Sequence, residues 1–415
     1  LSKHFALNQA TGTVEKLTWL PGQWPTFEYQ GKLGEFTDGL FQLTDMQGEG
    51  RLRDQDWRLQ LEGAAYAGQF NADLEGNRQP ATLTINDLQL NNMQPELRPG
   101  WHEWLAAQPF QQIDLRRLDV SHFSLISFDD SVPLTMKWLD LFLTDLRWTP
   151  QGLQNSSHKS RLEGSWLELV WQTLVSRKAE FQAEMADNAV QLKQFTTQLE
   201  ESALNISGQW GLKADIPHQL KLSLKNFDLE QLSDMWGPRY PFAGQANLTV
   251  DLQAQGQDWN SIKPSLKGSA TLDMQDLFVN GLTLDAYLDA LLTPKAPPTQ
   301  DFGQMIGKLR GGDSAFNHVH INLQADKGRL DFSNSAFESI THLIGMKQGL
   351  DLNKNSWQLQ LGLLNDQYQP EMLGTLSGVL TTPKLQFRLP AANASSWNTQ
   401  PIHYPPQGKE GALRE

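Results

Sequence analysis

Two histidines in the last quarter of the chain have the spacing of metal ligands. His318 and His320 stand two apart in "NHVHINL", so on a strand both rings point to the same side, as two ligands of one metal would. A zinc site needs a third protein ligand, and the chain has no cysteine to supply one. We therefore interpret the pair as residues of a polar strand face opposite Val319 and Ile321. The sequence predicts no metal site and no cofactor.

A glycine-rich stretch offers a candidate nucleophile. "GGDSAF", residues 311–316, resembles the nucleophile block of the GDSL hydrolases, with Ser314 as the reactive residue. That block belongs after a buried strand near a domain's start, whereas this one follows a helical pattern, so a turn is the better interpretation. No G-x-S-x-G elbow, P-loop, Rossmann fingerprint or H-E-x-x-H sequence occurs in the chain. The sequence predicts a protein that is not an enzyme, and a secreted hydrolase remains an alternative.

Composition excludes some partners. The chain has 34 Lys and Arg against 47 Asp and Glu, a formal net charge of -13, which disfavours nucleic acid because binding to phosphates needs clustered cations. A hydrophobic content of 39% with 14 Trp and 19 Phe predicts a folded chain. The absence of cysteine is compatible with an oxidising compartment.

No segment of the sequence is expected to cross a membrane. The longest apolar run, "WLELVWQTLV" from Trp166 to Val175, is interrupted by Glu168 and Gln172 and is far shorter than the roughly 20 apolar residues of a membrane span. The first residue is Leu1 and no signal-peptide pattern follows it. We expect the chain to be part of a longer protein, whose membrane anchor would lie upstream.

Period-two alternation of apolar and polar residues is the dominant pattern. It occurs in "NSWQLQLGLL", "HQLKLSLKNF", "ANLTVDLQA", "HVHINLQA" and "PKLQFRLP", and each is typical of a strand with one apolar face. Gly, Asn and Asp turns separate such strands at close intervals from Phe27 to Asn77. The region from Lys178 to Ile216 keeps the same period despite its helix-forming residues. The sequence predicts a mainly β protein, a long twisted antiparallel sheet built from repeated hairpins.

Three short amphipathic helices interrupt the strands. They are predicted over residues 228–238, with Asp228 as N-cap, over residues 282–294, and over residues 300–310, with Thr299 as N-cap. The apolar residues that share a helical face are Leu229, Leu232, Met235 and Trp236 in the first, Leu284, Tyr287, Leu288, Leu291 and Leu292 in the second, and Phe302, Met305, Ile306 and Leu309 in the third. Three such helices are too few to cover the sheet. They are expected to pack on it or to gate one end.

The apolar strand faces need a partner. It could be a second sheet, another protein, or a long apolar ligand. Half-buried antiparallel strands have the same alternation in a closed sandwich and in an open sheet, so periodicity leaves these alternatives open.

A resemblance favours the open sheet. From Leu204 to Leu389 the sequence resembles the C-terminal region of the AsmA family of bacterial envelope proteins. The features that carry it come in order: "FAGQANLTVDLQAQG" with Gly244 opening the strand, "SLKGSATLDMQDLFVNGLTLDAYLDALL" with Gly268, the segment around residues 299–309, and the closing "LSGVLTTPKLQF". The first half of the chain resembles the family only in its pattern of strands.

The resemblance implies a sheet curled into an open, taco-shaped groove that is apolar inside and polar outside. Family members are anchored in the inner membrane, project into the periplasm and are thought to pass phospholipids toward the outer membrane. Acyl chains cost about 0.8 kcal/mol per CH2 to expose to water, so a groove would lower the barrier to transfer.

We therefore expect a periplasmic lipid-binding and transfer protein that contributes to outer-membrane biogenesis. Its expected partners are phospholipids, the inner membrane, through an N-terminal helix absent from this sequence, and an outer-membrane or periplasmic protein. A non-enzymatic scaffold or assembly factor for outer-membrane proteins, acting through strand edges, is the alternative.

The predicted organisation has four parts. Residues 1–160 and 161–275 form the N-terminal and middle parts of the groove, residues 276–390 the AsmA-like region with two helices and closing strands, and residues 391–415 a polar flexible tail. The residues predicted to line the groove are Leu220, Leu222, Leu224, Leu248, Val250, Leu252, Leu272, Val319, Ile321, Leu323, Trp357, Leu359, Leu361 and Leu363.

Overall fold

The fold is taken from a computed structural model of the chain. It describes residues 6–18, 26–37, 42–97, 110–128, 133–150, 152–155, 159–231, 242–292, 300–301, 307, 309–390 and 397. The chain divides into two compact units, Leu1–Leu220 (unit 1) and Lys221–Glu415 (unit 2). The divisions predicted at residues 160 and 275 stay predictions.

The described part of unit 1 consists of strands. They are β1 (Ala6–Thr18), β2 (Thr26–Thr37), β3 (Gln42–Arg53), β4 (Asp56–Ala65), β5 (Gly68–Arg78), β6 (Ala81–Asn91), β7 (Glu96–Leu97), β8 (Gln112–Ser127), β9 (Leu134–Thr149), β10 (Gly152–Asn155), β11 (Ser160–Trp171), β12 (Leu174–Ala186), β13 (Ala189–Leu199) and β14 (Ser202–Gly211). Strand β15 (Pro217–Asp228) includes the boundary between the units.

Neighbouring strands of unit 1 pair as an antiparallel meander. From β1 to β6 each strand pairs with the next one along the chain, and β8, β9, β11, β12, β13 and β14 continue the series. The exception is β8, which runs parallel to β6 and β7 because the chain crosses back between them. The predicted mainly β, antiparallel hairpin architecture is confirmed. Its curling into a groove stays a prediction.

The register of unit 1 keeps apolar residues opposite apolar residues. Directly paired residues point to the same side of a sheet, so one row can be followed from strand to strand. It runs Gly12, Gly31, Gly48, Leu61, Ala72, Leu88, Leu118, Leu143, Leu162, Ala183, Leu192 and Gly208. We call the side of the sheet that carries this row the apolar face of unit 1.

The opposite side of the same strands is polar. One of its rows runs Glu15, Glu28, Arg51, Arg58, Glu75, Thr84, Asp114, Arg147 and Gln154. We call this side the polar face of unit 1. The two faces follow from the alternation in the sequence, because one-residue steps along a strand change the side of the sheet.

The described part of unit 2 combines strands with helices. Its strands are β16 (Phe242–Gln255), β17 (Lys267–Leu282), β18 (Gln300–Asp301), β19 (Arg310–Asp326), β20 (Arg329–Asp331), β21 (Ser335–Ser339), β22 (Leu343–Asp351), β23 (Ser356–Leu364), β24 (Pro370–Val379) and β25 (Lys384–Arg388). Its helices are α1 (Trp259–Ser265) and α2 (Leu284–Leu292). The strands pair in the sequence β16, β17, β19, then β20 and β21 side by side, then β22, β23, β24, β25 and β18.

The core of unit 2 lies on β22 to β25. One cluster joins Leu288 of α2 to Leu363 and Met372, and a second joins Met346, Leu359, Leu376 and Leu385. Phe332 and Phe337 pack against the second cluster, and Phe387 contacts both. Here the apolar strand face is covered by a helix and by aromatic side chains.

The predicted helices have mixed outcomes. The second is confirmed as α2. Of the first, the structure describes residues 228–231, where Asp228 Oδ1 accepts a hydrogen bond from the Glu230 N–H as an N-cap does, and the rest lies outside the described residues. The third is wrong at its start, because Gln300 and Asp301 pair with β25 as β18. Residues 302–306 and 308 of it lie outside the described residues, and Gly307 and Leu309 are helical.

Helix α1 was not predicted from the sequence. Its N-cap is Asp258, whose side chain accepts hydrogen bonds from the Asn260 and Ser261 N–H groups, while the Ser261 side chain bonds back to the cap. This capping box was a readable signal. It was missed because α1 is seven residues long and stands between two strands with strong alternation.

Candidate functional site

The apolar face of unit 1 continues from strand to strand over the whole described sheet of that unit. A second row lies beside the first and runs Val14, Tyr29, Gly50, Leu59, Leu74, Ile85, Leu115 and Leu146. Leu118, Leu143 and Leu162, at the centre of the first row, are each only half-buried. In the described part of unit 1, strands make their substantial contacts with their neighbours in the sheet. The apolar face is therefore one side of a single layer.

Ion pairs hold the polar face of unit 1 together. Arg58 binds Asp73 through two hydrogen bonds, Nε to Oδ1 at 3.2 Å and Nη2 to Oδ2 at 2.8 Å. Arg147 donates to Asp114 from Nε at 2.6 Å. These pairs join neighbouring strands, and they make the polar face of unit 1 a hydrated, charged surface.

Two glutamates on this face each lie between two cations. Glu168 accepts from Lys137 Nζ at 2.7 Å and from Arg177 Nε at 3.3 Å. Glu184 accepts from Lys159 and Lys193. Hydrogen bonds from Lys137 and then Arg177 lower the pKa of Glu168, and those from Lys159 and then Lys193 lower the pKa of Glu184. Both carboxylates are therefore ionised at neutral pH.

The surface cavities of unit 1 open on the polar face. One of about 920 Å³ is lined by Gln30, Gln47 and Asp73 with their neighbours. A second lies beside Glu28 and Arg58. Their linings suit water and polar groups, so in unit 1 the surface suited to an apolar ligand is the apolar face itself.

The predicted groove residues of β16, β17 and β19 come together on one face. Leu248 pairs with Leu272, which pairs with Ile321, and this makes one row across three strands. Val250 and Leu323 flank Ala270 in the next row, and Leu252 lies opposite Gly268. Val319 pairs with Met274 and is fully buried, whereas the other members are half-buried.

The predicted groove residues of β23 lie in the core of unit 2. Leu359 and Leu363 are buried members of the two core clusters, and Trp357 and Leu361 pack against the second. On β15, Leu220 is 42% exposed, while Leu222 and Leu224, at alternate positions after it, are half-buried. The fourteen residues thus divide between half-open strand faces and a covered core.

Sequence reasoning named no groove residue before Leu220, although the apolar face of unit 1 is the more open one. The signal was present in "ATLTINDLQL" (residues 81–90) and "LTMKWLDLFLTDLRW" (residues 134–148). These strands alternate with period two, but a bulge between Ile85 and Asp87 in the first and one between Met136 and Leu139 in the second shift the alternation partway along. A register was needed to show that the apolar residues align.

Of the two histidines singled out by spacing, His320 forms a hydrogen bond with a carboxylate and His318 lies near it. Asp273, across from them on β17, accepts from His320 Nδ1 at 2.6 Å and lies 3.8 Å from His318 Nε2. Burial lowers the pKa of His318. In the part of the chain that the structure describes, no group of three His, Asp or Glu side chains has metal-binding geometry.

Ser314, the candidate nucleophile, is 2% exposed. Its Oγ accepts a hydrogen bond from the backbone N–H of Leu284 at 2.8 Å, which is the first residue of α2. The side chain thereby satisfies one of the free N–H groups at the start of that helix.

Part of the chain matches a known protein family. Residues 170–335 match the AsmA family. This segment begins at the end of β11 and ends at the start of β21, and it includes α2. The resemblance seen in the sequence from Leu204 to Leu389 is therefore confirmed over residues 204–335. The match is consistent with a role in the bacterial envelope. No curated protein and no solved structure is significantly similar to the chain.

Helices that could span a membrane are absent from the described residues. The longer of the helices α1 and α2, α2, has nine residues, fewer than half of the roughly 20 that a bilayer requires.

Proposed function

We propose that the protein binds phospholipid acyl chains along its apolar strand faces and carries them through the periplasm. The observation that carries this proposal is the apolar face of unit 1, a register-aligned surface that crosses twelve strands in a single layer. A hydrated apolar surface of that length is costly unless an apolar partner covers it. Acyl chains are such a partner.

The polar face supports the same role. Transfer through water requires the carrier to stay soluble while one side contacts lipid. Ion pairs such as Arg58 with Asp73 and Arg147 with Asp114 keep that outer side hydrated. The mechanism needs no reacting group, so we propose a non-enzymatic protein.

We also propose a location and partners. The family match is consistent with a protein that is anchored in the inner membrane by a segment outside the described residues. Such a protein would contribute to outer-membrane biogenesis. Phospholipids would be the cargo, and an outer-membrane or periplasmic protein would receive it.

The chain offers a closely matched pair of substitutions as a test. Leu143 lies between Leu118 and Leu162 on the apolar face, and Thr144, the next residue, lies between Arg117 and Arg161 on the polar face. Leu143→Asp places a charge where acyl chains would lie, and Thr144→Asp places the same charge beside two cations. Because Leu143 is only half-buried, the new carboxylate stays hydrated and the sheet stays folded.

The measurement is the phospholipid retained by purified protein, quantified by lipid extraction and native mass spectrometry. Wild type and Thr144→Asp should retain similar amounts, and Leu143→Asp should retain several-fold less, since acyl chains would have to strip water from a carboxylate. Circular dichroism checks that both variants are folded. Equal lipid in the two folded variants, or none in the wild type, would end the proposal.

A further inference from the structure

Helix α2 covers one end of the apolar strand face of unit 2. Its Leu288 is buried against Leu363 of β23 and Met372 of β24, and Leu284 and Tyr287 pack beside it. The helix has nine residues, so it is too short to be stable alone and depends on what holds it to the sheet. What holds it therefore decides whether this face is covered.

Besides the apolar contact, α2 is held by a histidine between two carboxylates. Asp285 and Asp289 stand four residues apart and so share a helical face. His342, in the turn between β21 and β22, lies with Nδ1 3.1 Å from Asp285 Oδ1 and Nε2 3.3 Å from Asp289 Oδ1. Ser339 Oγ donates to Asp285 Oδ1 at 2.5 Å. The His342 side chain is 8% exposed.

The ring can donate to both carboxylates only when it carries both protons, because a neutral imidazole has one N–H and one lone pair. Thr341 offers the neutral ring a second arrangement, since its Oγ1 lies 2.8 Å from His342 Nδ1. When the single proton of the neutral ring lies on Nε2, the Thr341 hydroxyl donates to Nδ1 and the bond from the ring to Asp285 is lost. Proton loss thus exchanges a contact with the helix for one within the turn.

We propose that His342, Asp285 and Asp289 form a proton-dependent latch that keeps α2 over the apolar face of unit 2 and releases it as the ring is deprotonated. The latch regulates access of acyl chains to β23 and β24, and this part rests on the proposed function. Histidine is the side chain whose charge changes near neutral pH.

The charges around the ring agree with this. From α2 the groups that face it are Asp285 and Asp289, and from its own turn the hydroxyls of Ser339 and Thr341. Glu338, on β21, acts on His318 instead. Burial raises the pKa of Asp285, but hydrogen bonds from Ser339 and His342 outweigh it and leave this pKa below its usual value. Asp285 is therefore ionised from about pH 5.5 to about pH 8.

Hydrogen exchange of the α2 amides tests the latch without lipid. Exchange is measured by mass spectrometry at about pH 5.5 and about pH 8, with labelling times scaled for the intrinsic rate. In the wild type the protection of residues 284–292 should fall about tenfold from the lower to the higher pH, the effect of losing one charged hydrogen bond. His342→Gln should show the same protection at both.

Two further variants provide a second perturbation of the latch and a control. Asp289→Asn changes a side chain that is 69% exposed, so the fold is kept, and it should shrink the pH effect. His320→Gln, whose ring bonds to Asp273 away from α2, should keep the wild-type effect. A wild type without pH dependence, or an unchanged dependence in His342→Gln or Asp289→Asn, would overturn the latch.

A second measurement separates the latch from the lipid proposal. A phosphatidylcholine with a photoreactive acyl chain is activated with the wild-type protein at both pH values, and labelled peptides are identified. Labelling of β23 and β24 should rise as α2 is released. Labelling of β8 to β12 without that rise would overturn regulation while leaving the proposed function intact. Absence of label from both units would overturn the proposed function and, with it, the regulatory role.

Discussion

The strands of unit 1 and unit 2 have the same alternation of apolar and polar residues, but their apolar sides differ in how far they are buried. In unit 1 the central residues Leu118, Leu143 and Leu162 are half-buried in a single layer. In unit 2 the row of Leu359, Leu376 and Leu385 has exposures of 8%, 8% and 2%. The comparison shows that alternation sets which side of a strand is apolar, and that separate elements decide whether this side is covered.

The covering elements of unit 2 are few and specific. Helix α2 brings Leu288 onto Leu363 and Met372, and Phe332 and Phe337 reach the second cluster from the segments before β22. The described part of unit 1 has no helix. A charge on the apolar side should therefore have opposite consequences in the two units.

The largest expected effect is in unit 2. Leu363→Asp should lower the free energy of unfolding by about 4 kcal/mol or more, because Leu363 is 6% exposed and a carboxylate there loses its water. Urea unfolding followed by far-UV circular dichroism measures the change. Gln358→Asp, at an exposed position of the same strand, should change it by less than about 0.5 kcal/mol. A stable Leu363→Asp would mean that this face is as open as that of unit 1.

The second effect concerns Trp397, which lies in the segment predicted as a flexible tail. The rest of residues 391–415 is outside the described residues, but the Trp397 ring is 6% exposed. It lies over the paired glycines Gly345 and Gly362, where a Cβ would come within 2.7 and 2.9 Å of the ring. The Lys347 ammonium is 4.2 Å from the ring centroid. Trp397 therefore covers the side of β22 and β23 that carries Gly345 and Gly362, opposite the side that carries Leu363.

Trp397→Ala should destabilise unit 2 by about 3 kcal/mol, since a buried indole is removed from its contacts. Gly362→Val should have a similar effect, because the added side chain displaces the ring. Thermal unfolding of both variants provides the comparison. Trp259→Ala, at a position that is 58% exposed, is the control and should leave the midpoint unchanged. Equal midpoints for Trp397→Ala and the control would refute the anchoring role.

A smaller effect is expected on the polar face of unit 1 at acid pH. The lowered pKa of Glu184 means that its ion pairs stabilise the sheet above the unfolded-state pKa of about 4.3 and that this contribution is lost as pH falls through the folded pKa. Glu184→Gln should therefore lose stability at neutral pH and depend less on pH below about 4.3. Urea unfolding at neutral and acid pH tests this. Glu180→Gln, on the same strand, should retain the wild-type acid dependence.

The smallest expected effect is that of metal removal. Chelation of zinc and calcium should leave the melting temperature unchanged, because Asp273 accepts a hydrogen bond from His320 and lies 3.8 Å from His318. A drop on adding EDTA, restored by one of these ions, would show that the histidines do bind metal.

Much of the fold was predictable because sheet periodicity is local. Strand β23 and helix α2 can be read from residues a few positions apart, and the match over residues 170–335 agrees with the resemblance seen in the sequence. The capping box of α1 was also local and was overlooked.

The candidate site was less predictable because it depends on long-range pairing. Leu88 and Leu118 become neighbours only through the parallel pairing of β6 with β8. Likewise, whether Leu363 is open or covered depends on Leu288, which is 75 residues away in the chain (363 − 288 = 75). The alternation within a single strand contains no information about either contact, that of Leu88 with Leu118 or that of Leu363 with Leu288.

One measurement tests the central claim that the apolar face of unit 1 accepts acyl chains. Because the chain has no cysteine, bimane can be attached at a single site in Leu143→Cys, Thr144→Cys or Leu363→Cys. Phospholipid with brominated acyl chains quenches the dye on contact. We predict strong quenching at position 143 and little quenching at position 144. Little quenching is also expected at position 363 while α2 covers it. Equal quenching at positions 143 and 144, or none at position 143, would contradict it.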